Sequence, residues 1–207
     1  MDRRGFLAAT GASSALAIVG AFPAFAQDTE SGGTEIIEMV LGNPEANVEV
    51  VEYASYTCPH CANFHASVYP VLKSDFIDTG KIKFVYREVY FDRFGLWASM
   101  VARCGGEQRF FGLTKMFYEK QREWTAGGDP VAIAENLRSY GKVAGLSDET
   151  LDACLTDAEK AQALVDWFQK NTEEDGINST PSFVINGEKF EGSWDNDLIP
   201  AIEAALG

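Results

Sequence analysis

Cysteine is scarce in this chain, with four residues in 207. That excludes a small domain built on disulfides, and each cysteine has to be read for its own task. Positive charge is also short: 17 Lys+Arg stand against 31 Asp+Glu, a formal net charge of −14. Nucleic acid and anionic lipid surfaces want basic patches, so neither is a general partner. There is no internal repeat and no low-complexity tract. No run reaches the roughly 20 strongly apolar residues that a membrane span needs. What is present is ordinary for a globular protein, 46% hydrophobic and 23% charged residues, and this excludes disordered, collagen-like and coiled-coil architectures. The length suits one generous domain, or one domain carrying an insertion.

The N-terminus reads as an export signal. Arg3 and Arg4 precede an uncharged, Ala-rich run from Leu7 to Phe22, and Ala24-Phe25-Ala26 has the small-x-small pattern of a signal-peptidase site. Cleavage is expected after Ala26, with a retained anchor as the alternative. Arg3-Arg4-Gly5-Phe6-Leu7 also fits the twin-arginine pattern, which leaves both the Sec and Tat routes open. Export would place the chain where disulfides persist.

Residues 27–47 read as a lead-in, polar and Gly-rich over Gln27–Gly33. Val48 to Ala54 is a mostly apolar strand. Cys58 to Asp78 is expected to be a helix, with Cys61, Phe64, Val68 and Leu72 on one face, a kink at Pro70 and Gly80 past its end. Lys81 to Val89 alternates as a second strand, so the unit is βαβ with parallel strands. From Phe94 to Gly176 the pattern is helical: Trp97, Met100, Val101 and Cys104 share a face, Asp129-Pro130 opens one helix, and Thr156-x-x-Glu159 forms a capping box for another. Ser182 to Ile185 is a strand, Asn186-Gly187 a tight turn, Lys189 to Glu191 its return, and Asp195 to Leu206 a closing helix. The organisation is an α/β domain (48–93 and 177–207) interrupted by an α-helical insertion (94–176).

Cys58-Pro59-His60-Cys61 stands where the first strand meets its helix. Unpaired N–H groups and the dipole at a helix start favour an anion, and the thiolate is the nucleophile of disulfide exchange. Pro59 suits the first helical position, where a missing N–H costs nothing. His60 adds positive potential beside the sulfur. Cys61 is close enough to close a disulfide with Cys58, and it shares the buried face with Phe64 and Val68. Cys58 is therefore the attacking thiol and Cys61 the resolving one. An inert disulfide is one alternative. A zinc site using Cys58, His60, Cys61 and His65 is another, weakened because residues 60 and 61 point differently and no second C-x-x-C or H-x-H follows. Neither metal nor cofactor is expected.

The run Val50-Val51-Glu52-Tyr53-Ala54-Ser55-Tyr56-Thr57-Cys58-Pro59-His60-Cys61 resembles the DsbA-like thiol:disulfide oxidoreductases of the bacterial envelope, and so does Ser179-Thr180-Pro181-Ser182-Phe183-Val184-Ile185-Asn186-Gly187. The resemblance spans essentially the whole mature chain, insertion included, and implies a thioredoxin-like fold with an inserted α-helical domain. It further implies that Cys58 is the exposed nucleophile, Cys61 its buried partner and Pro181 a cis-proline facing them. A cis bond would leave Thr180 extended, its backbone free to pair with a client strand. Thr180 departs from the Val of some DsbA proteins and also occurs in the isomerase relatives. For Glu52, an acid inside a buried strand, the resemblance implies a proton acceptor for Cys61; the alternative is an acid reaching solvent or pairing with Lys83.

Cys104 and Cys154 lie on apolar sides of helices in the insertion. Singly each fits a buried free thiol; together, in an oxidising compartment, they read as a structural disulfide. Phe110, Phe111, Phe117 and Tyr118 read as helical core, and Phe190 and Trp194 as candidate edges of a client groove. The expectation is a periplasmic dithiol oxidase serving reduced exported proteins and reoxidised by a membrane quinone-linked partner of the DsbB type. A same-fold isomerase or reductase, and a non-catalytic envelope binding or chaperone protein, are the rivals.

Overall fold

The computed structural model describes residues 34–207; the expected export signal, its expected cleavage site and the start of the lead-in lie outside them. A five-stranded sheet forms the centre, in the order β1 (Met39–Gly42), β3 (Lys83–Glu88), β2 (Glu49–Ala54), β4 (Ser182–Ile185), β5 (Glu188–Lys189). Strands β2 and β3 run parallel with Val51 opposite Val85; the other three pairings are antiparallel. Parallel neighbours require a crossover, and helices α1 (Pro59–Ser67) and α2 (Tyr69–Leu72) supply it.

Alternation along the strands sends side chains to two cores. Val50, Ala54, Phe84, Tyr86 and Phe183 join a large cluster with the buried residues of α1 and α4. Val51, Tyr53, Val85, Val89 and Val184 form a second cluster covered by Phe168 and Ile177. Burial on both faces explains why β2 reads as a mostly apolar strand.

Helices α3 (Arg93–Cys104), α4 (Gly106–Glu119), α5 (Gln121–Trp124), α6 (Pro130–Val143), α7 (Asp148–Thr156) and α8 (Ala158–Glu174) lie between β3 and β4 in the chain. The last helix is α9 (Leu198–Leu206). Among the described residues, no helix is long and apolar enough to cross a membrane.

Four local expectations are corrected. The lead-in contains β1, a strand whose Met39, Val40, Leu41 and Gly42 pair with β3. The helix expected over 58–78 is broken: Pro70 has no N–H to return to residue 66, α1 stops at Ser67, and after α2 the chain continues as a π-helical turn, Lys73–Ile77. Thr156 ends α7, its hydroxyl donating back to the Asp152 carbonyl, while Asp157 caps α8 by accepting from the Lys160 N–H. The closing helix starts at Leu198 rather than Asp195. The Asn186-Gly187 turn does form, with both residues at positive φ (51° and 80°), and the Asn186 side chain accepts from the Glu49 N–H at 2.9 Å, fastening the hairpin to β2.

Candidate active site

Cys58 is the N-cap of α1, with extended backbone (φ −81°, ψ 118°), and Pro59 occupies the first helical position. Cys58 is 8% exposed and Cys61 is fully buried; Pro59 and His60 are exposed. The two sulfurs are free thiols with opposite tendencies. The Cys58 thiol is lowered from its ordinary range to about 5: the Cys61 thiol donates to its sulfur, and this outweighs the opposing effect of burial. The Thr180 side chain and the backbone N–H groups of Cys61 and His60 lower it further. What His60 supplies to the sulfur is thus a main-chain donor at the helix start. The Cys61 thiol is pushed up, first by burial and then by hydrogen bonding and charge repulsion from Cys58.

The β4 end of the fold faces the pair. The Thr180–Pro181 bond is cis, and the Cys58 thiol donates to the Thr180 carbonyl oxygen at 3.4 Å. That carbonyl, expected to be open to a client strand, is therefore engaged while Cys58 is protonated. The buried Thr180 hydroxyl makes no hydrogen bond, and as a nearby donor it favours the thiolate at both cysteines. Beside Pro181 lies a cavity of about 320 Å³ whose walls include Ser179, Ser182, Phe190, Glu191 and Trp194. Phe64 of α1 packs on Phe183 (4.9 Å) and Trp194 (5.8 Å), so one aromatic cluster holds the motif helix against the Pro181 side.

Glu52 lies under this site. It is fully buried, and its Oε1 is 2.9 Å from His65 Nε2; its second oxygen has no partner. Neither solvent nor Lys83 takes it, since Lys83 pairs with Glu49. The His65 ring stacks on Tyr118 at 4.1 Å and lies 4.5 Å from Tyr69. Tyr118 therefore does more than fill the helical core: its hydroxyl, hydrogen-bonded to Tyr86 at 2.6 Å, feels the charge of both Cys61 and Glu52. Sequence reasoning missed His65 as the partner of Glu52. Its spacing was the available signal, because Cys61 and His65 are four residues apart and so share one face of α1.

The model of the thioredoxin family (Thioredoxin) matches residues 34–203. The chain belongs to the thioredoxin family. Within it the chain is DsbA-like. Wolbachia pipientis alpha-DsbA1 superposes with a TM-score of 0.76 at 26% identity, covering 86% of this chain and 95% of that one. A structure named as a protein-disulfide isomerase from Novosphingobium aromaticivorans gives 0.73 at 30% identity, covering 82% and 97%. A Rickettsia bellii protein that carries the name protein-disulfide oxidoreductase is 36% identical over 170 residues, 82% of this chain but 64% of that protein's length. The chain thus spans under two thirds of that relative.

Of the sequence-derived candidates, the thioredoxin fold brings Cys58, Pro59, His60, Cys61, Thr180, Pro181 and Glu52 into one region. Cys104 and Cys154 lie apart from it, bonded to each other on α3 and α7 across 50 residues of chain. Two further residues touch the motif turn, Asp92 at the N-cap of α3 and Gln121 at the start of α5, and neither was singled out in the sequence. Asp92 was legible as an N-cap: its side chain accepts from the Phe94 and Gly95 N–H groups. Gln121 left no such signal, because its partners are backbone carbonyls more than sixty residues away.

Proposed function

We propose that this protein is a periplasmic thiol:disulfide oxidoreductase, a dithiol oxidase that donates the Cys58–Cys61 disulfide to reduced exported proteins. The observation that carries this reading is the contrast between the two thiols, Cys58 lowered to about 5 and Cys61 pushed up by burial. A client thiolate attacks Cys58 Sγ of the disulfide; the Cys58–Cys61 bond breaks and Cys61 leaves with the electron pair. Its site favours the neutral thiol, so a proton follows, and Glu52 is the acid placed to handle it, held by His65 one helical turn beyond Cys61. A second client thiolate then attacks the client sulfur of the mixed disulfide, and Cys58 departs as a stabilised thiolate. The client has lost two electrons and two protons, and the enzyme holds two cysteines in reduced form. Stabilising the reduced form is what makes such a pair an oxidant.

The sequence pattern supports the export and domain assignments, and the resemblance supports the reoxidising partner. The signal peptide, cleaved after Ala26, directs the chain to the periplasm. Residues 48–93 and 177–207 form the thioredoxin-like domain and 94–176 the insertion. A membrane quinone-linked partner of the DsbB type restores the disulfide.

A second reading is an isomerase or reductase of the same fold, favoured by Thr180 before Pro181 and by the Novosphingobium neighbour's name. Refolding of reduced ribonuclease separates the readings. Oxidation by the disulfide form without added glutathione is expected; reactivation only of scrambled ribonuclease supports the isomerase. Activity that survives Cys58→Ser overturns both and leaves a binding or chaperone role.

A further inference from the structure

Residues 56–58 of the motif turn are held at three successive positions, from α4, from the N-cap of α3 and from α5. The Tyr56 hydroxyl shares a hydrogen bond with Thr114 Oγ1 on α4 at 2.8 Å. The Thr57 hydroxyl donates to Asp92 Oδ2 at 2.8 Å. The third hold is made by Gln121, the first residue of α5, 6% exposed: its Nε2 donates to the Tyr56 carbonyl at 2.8 Å and to the Cys58 carbonyl at 2.9 Å. Both partners are acceptors, which fixes the orientation of the amide, and both of its N–H groups are used. The Cys58 carbonyl also accepts from the Ala62 N–H at 3.2 Å, in the first turn of α1. It is thus the point where α5 and the motif helix meet.

We propose that Gln121 is a positioning residue for the nucleophile, its amide fixing the Cys58 carbonyl and hence the N-cap geometry that aims Cys58 Sγ at the helix N–H groups and Thr180. This rests on the exchange reading above. The inserted helices on this view do more than enlarge the domain, since they set the conformation of the residue that reacts. The amide hydrogens also quench the negative ends of two carbonyl dipoles beside the forming thiolate, where the low local dielectric magnifies such effects. The titratable side chains at the turn itself are Tyr56, His60, Cys61 and Asp92; Glu88 and Arg103 act on Tyr56, and Tyr118 and Glu52 face Cys61 from α4 and β2.

Gln121→Met preserves volume and removes both donors; Gln121→Glu preserves shape and replaces them with carboxylate. The test follows Cys58 ionisation by thiolate absorbance across pH in the reduced full chain, with thermal unfolding recorded in parallel. The expected result is a Cys58 midpoint raised by about half a unit or more in Gln121→Met and by more in Gln121→Glu, with slower oxidation of reduced ribonuclease in both. An unmoved midpoint in a folded variant overturns the assignment, even if its melting temperature falls. Failure of both variants to fold also overturns it, since the amide then serves the fold and not the thiol. A wild-type chain that does not oxidise ribonuclease refutes the exchange reading instead, and the two failures are told apart by that control.

Discussion

His65 Nε2 lies 2.9 Å from Glu52 Oε1, and the Glu52 side chain has no exposure to solvent. A buried carboxylate with one filled and one unfilled oxygen is costly to keep, so it invites a role beyond packing. The resolving cysteine is one helical turn before His65 on α1, and the proposed role is to manage the proton of the Cys61 thiol.

Replacing Glu52 with Gln keeps the shape and removes the acid. The step in which Cys61 leaves or reacts is expected to slow by roughly a hundredfold, the low end of what a positioned acid or base contributes. Alkylation of Cys61 against pH checks it, and a profile identical to the parent contradicts the role.

His65→Leu has a different signature. It strips Glu52 of its one hydrogen-bond partner inside the core, at a cost of about 1–3 kcal/mol in unfolding free energy. Denaturant unfolding measures this; a loss well below 1 kcal/mol would mean that water or Tyr69 replaces the imidazole.

Cys58 is expected to titrate near 5 in the reduced protein, and Cys58→Ser should abolish that transition in thiolate absorbance. Stability follows with a definite sign. In the unfolded chain a cysteine titrates at about 8.5, so between pH 5 and 8.5 the unfolded state binds more protons and the reduced protein gains stability as pH rises. The gain is complete above the unfolded value and is lost as pH falls through 5. Above about 8.5 the raised Cys61 thiol works in the opposite direction. Melting of reduced against oxidised protein over this range tests it, because the oxidised pair does not titrate.

The Cys104–Cys154 bond ties α3 to α7 across 50 residues. Changing both cysteines to Ala should lower stability by about 4 kcal/mol in the chain-entropy account while the Cys58 midpoint stays near its parent value. Unfolding and absorbance titration of the double variant read the two separately; a moved midpoint would show that the bond also shapes the reaction centre.

Local pattern carried much of the fold into view. The C-x-x-C motif at a strand-to-helix junction, the parallel β2–β3 unit, the Asn186-Gly187 turn and the helical stretch after β3 are all written in nearest-neighbour periodicity and turn chemistry. β1 was not, because Met39–Gly42 is a four-residue edge strand with only Met39 buried, too short to establish an alternation. The capping of α8 by Asp157 and not Thr156 is a one-residue difference between two good capping types, decided by where α7 ends. At the site, the motif residues were legible and their supports were not. His65 meets Glu52 only because α1 packs over β2, and Gln121 meets Cys58 only because α5 returns to the motif turn after two further helices.

The reduction potential of the Cys58–Cys61 pair, measured by equilibration with glutathione, tests the central claim most directly. A depressed Cys58 and a stabilised reduced form predict a value well above the roughly −270 mV of thioredoxin, towards the oxidising end of the family's range. A value at or below that of thioredoxin would contradict the oxidase and mark the protein as a reductase.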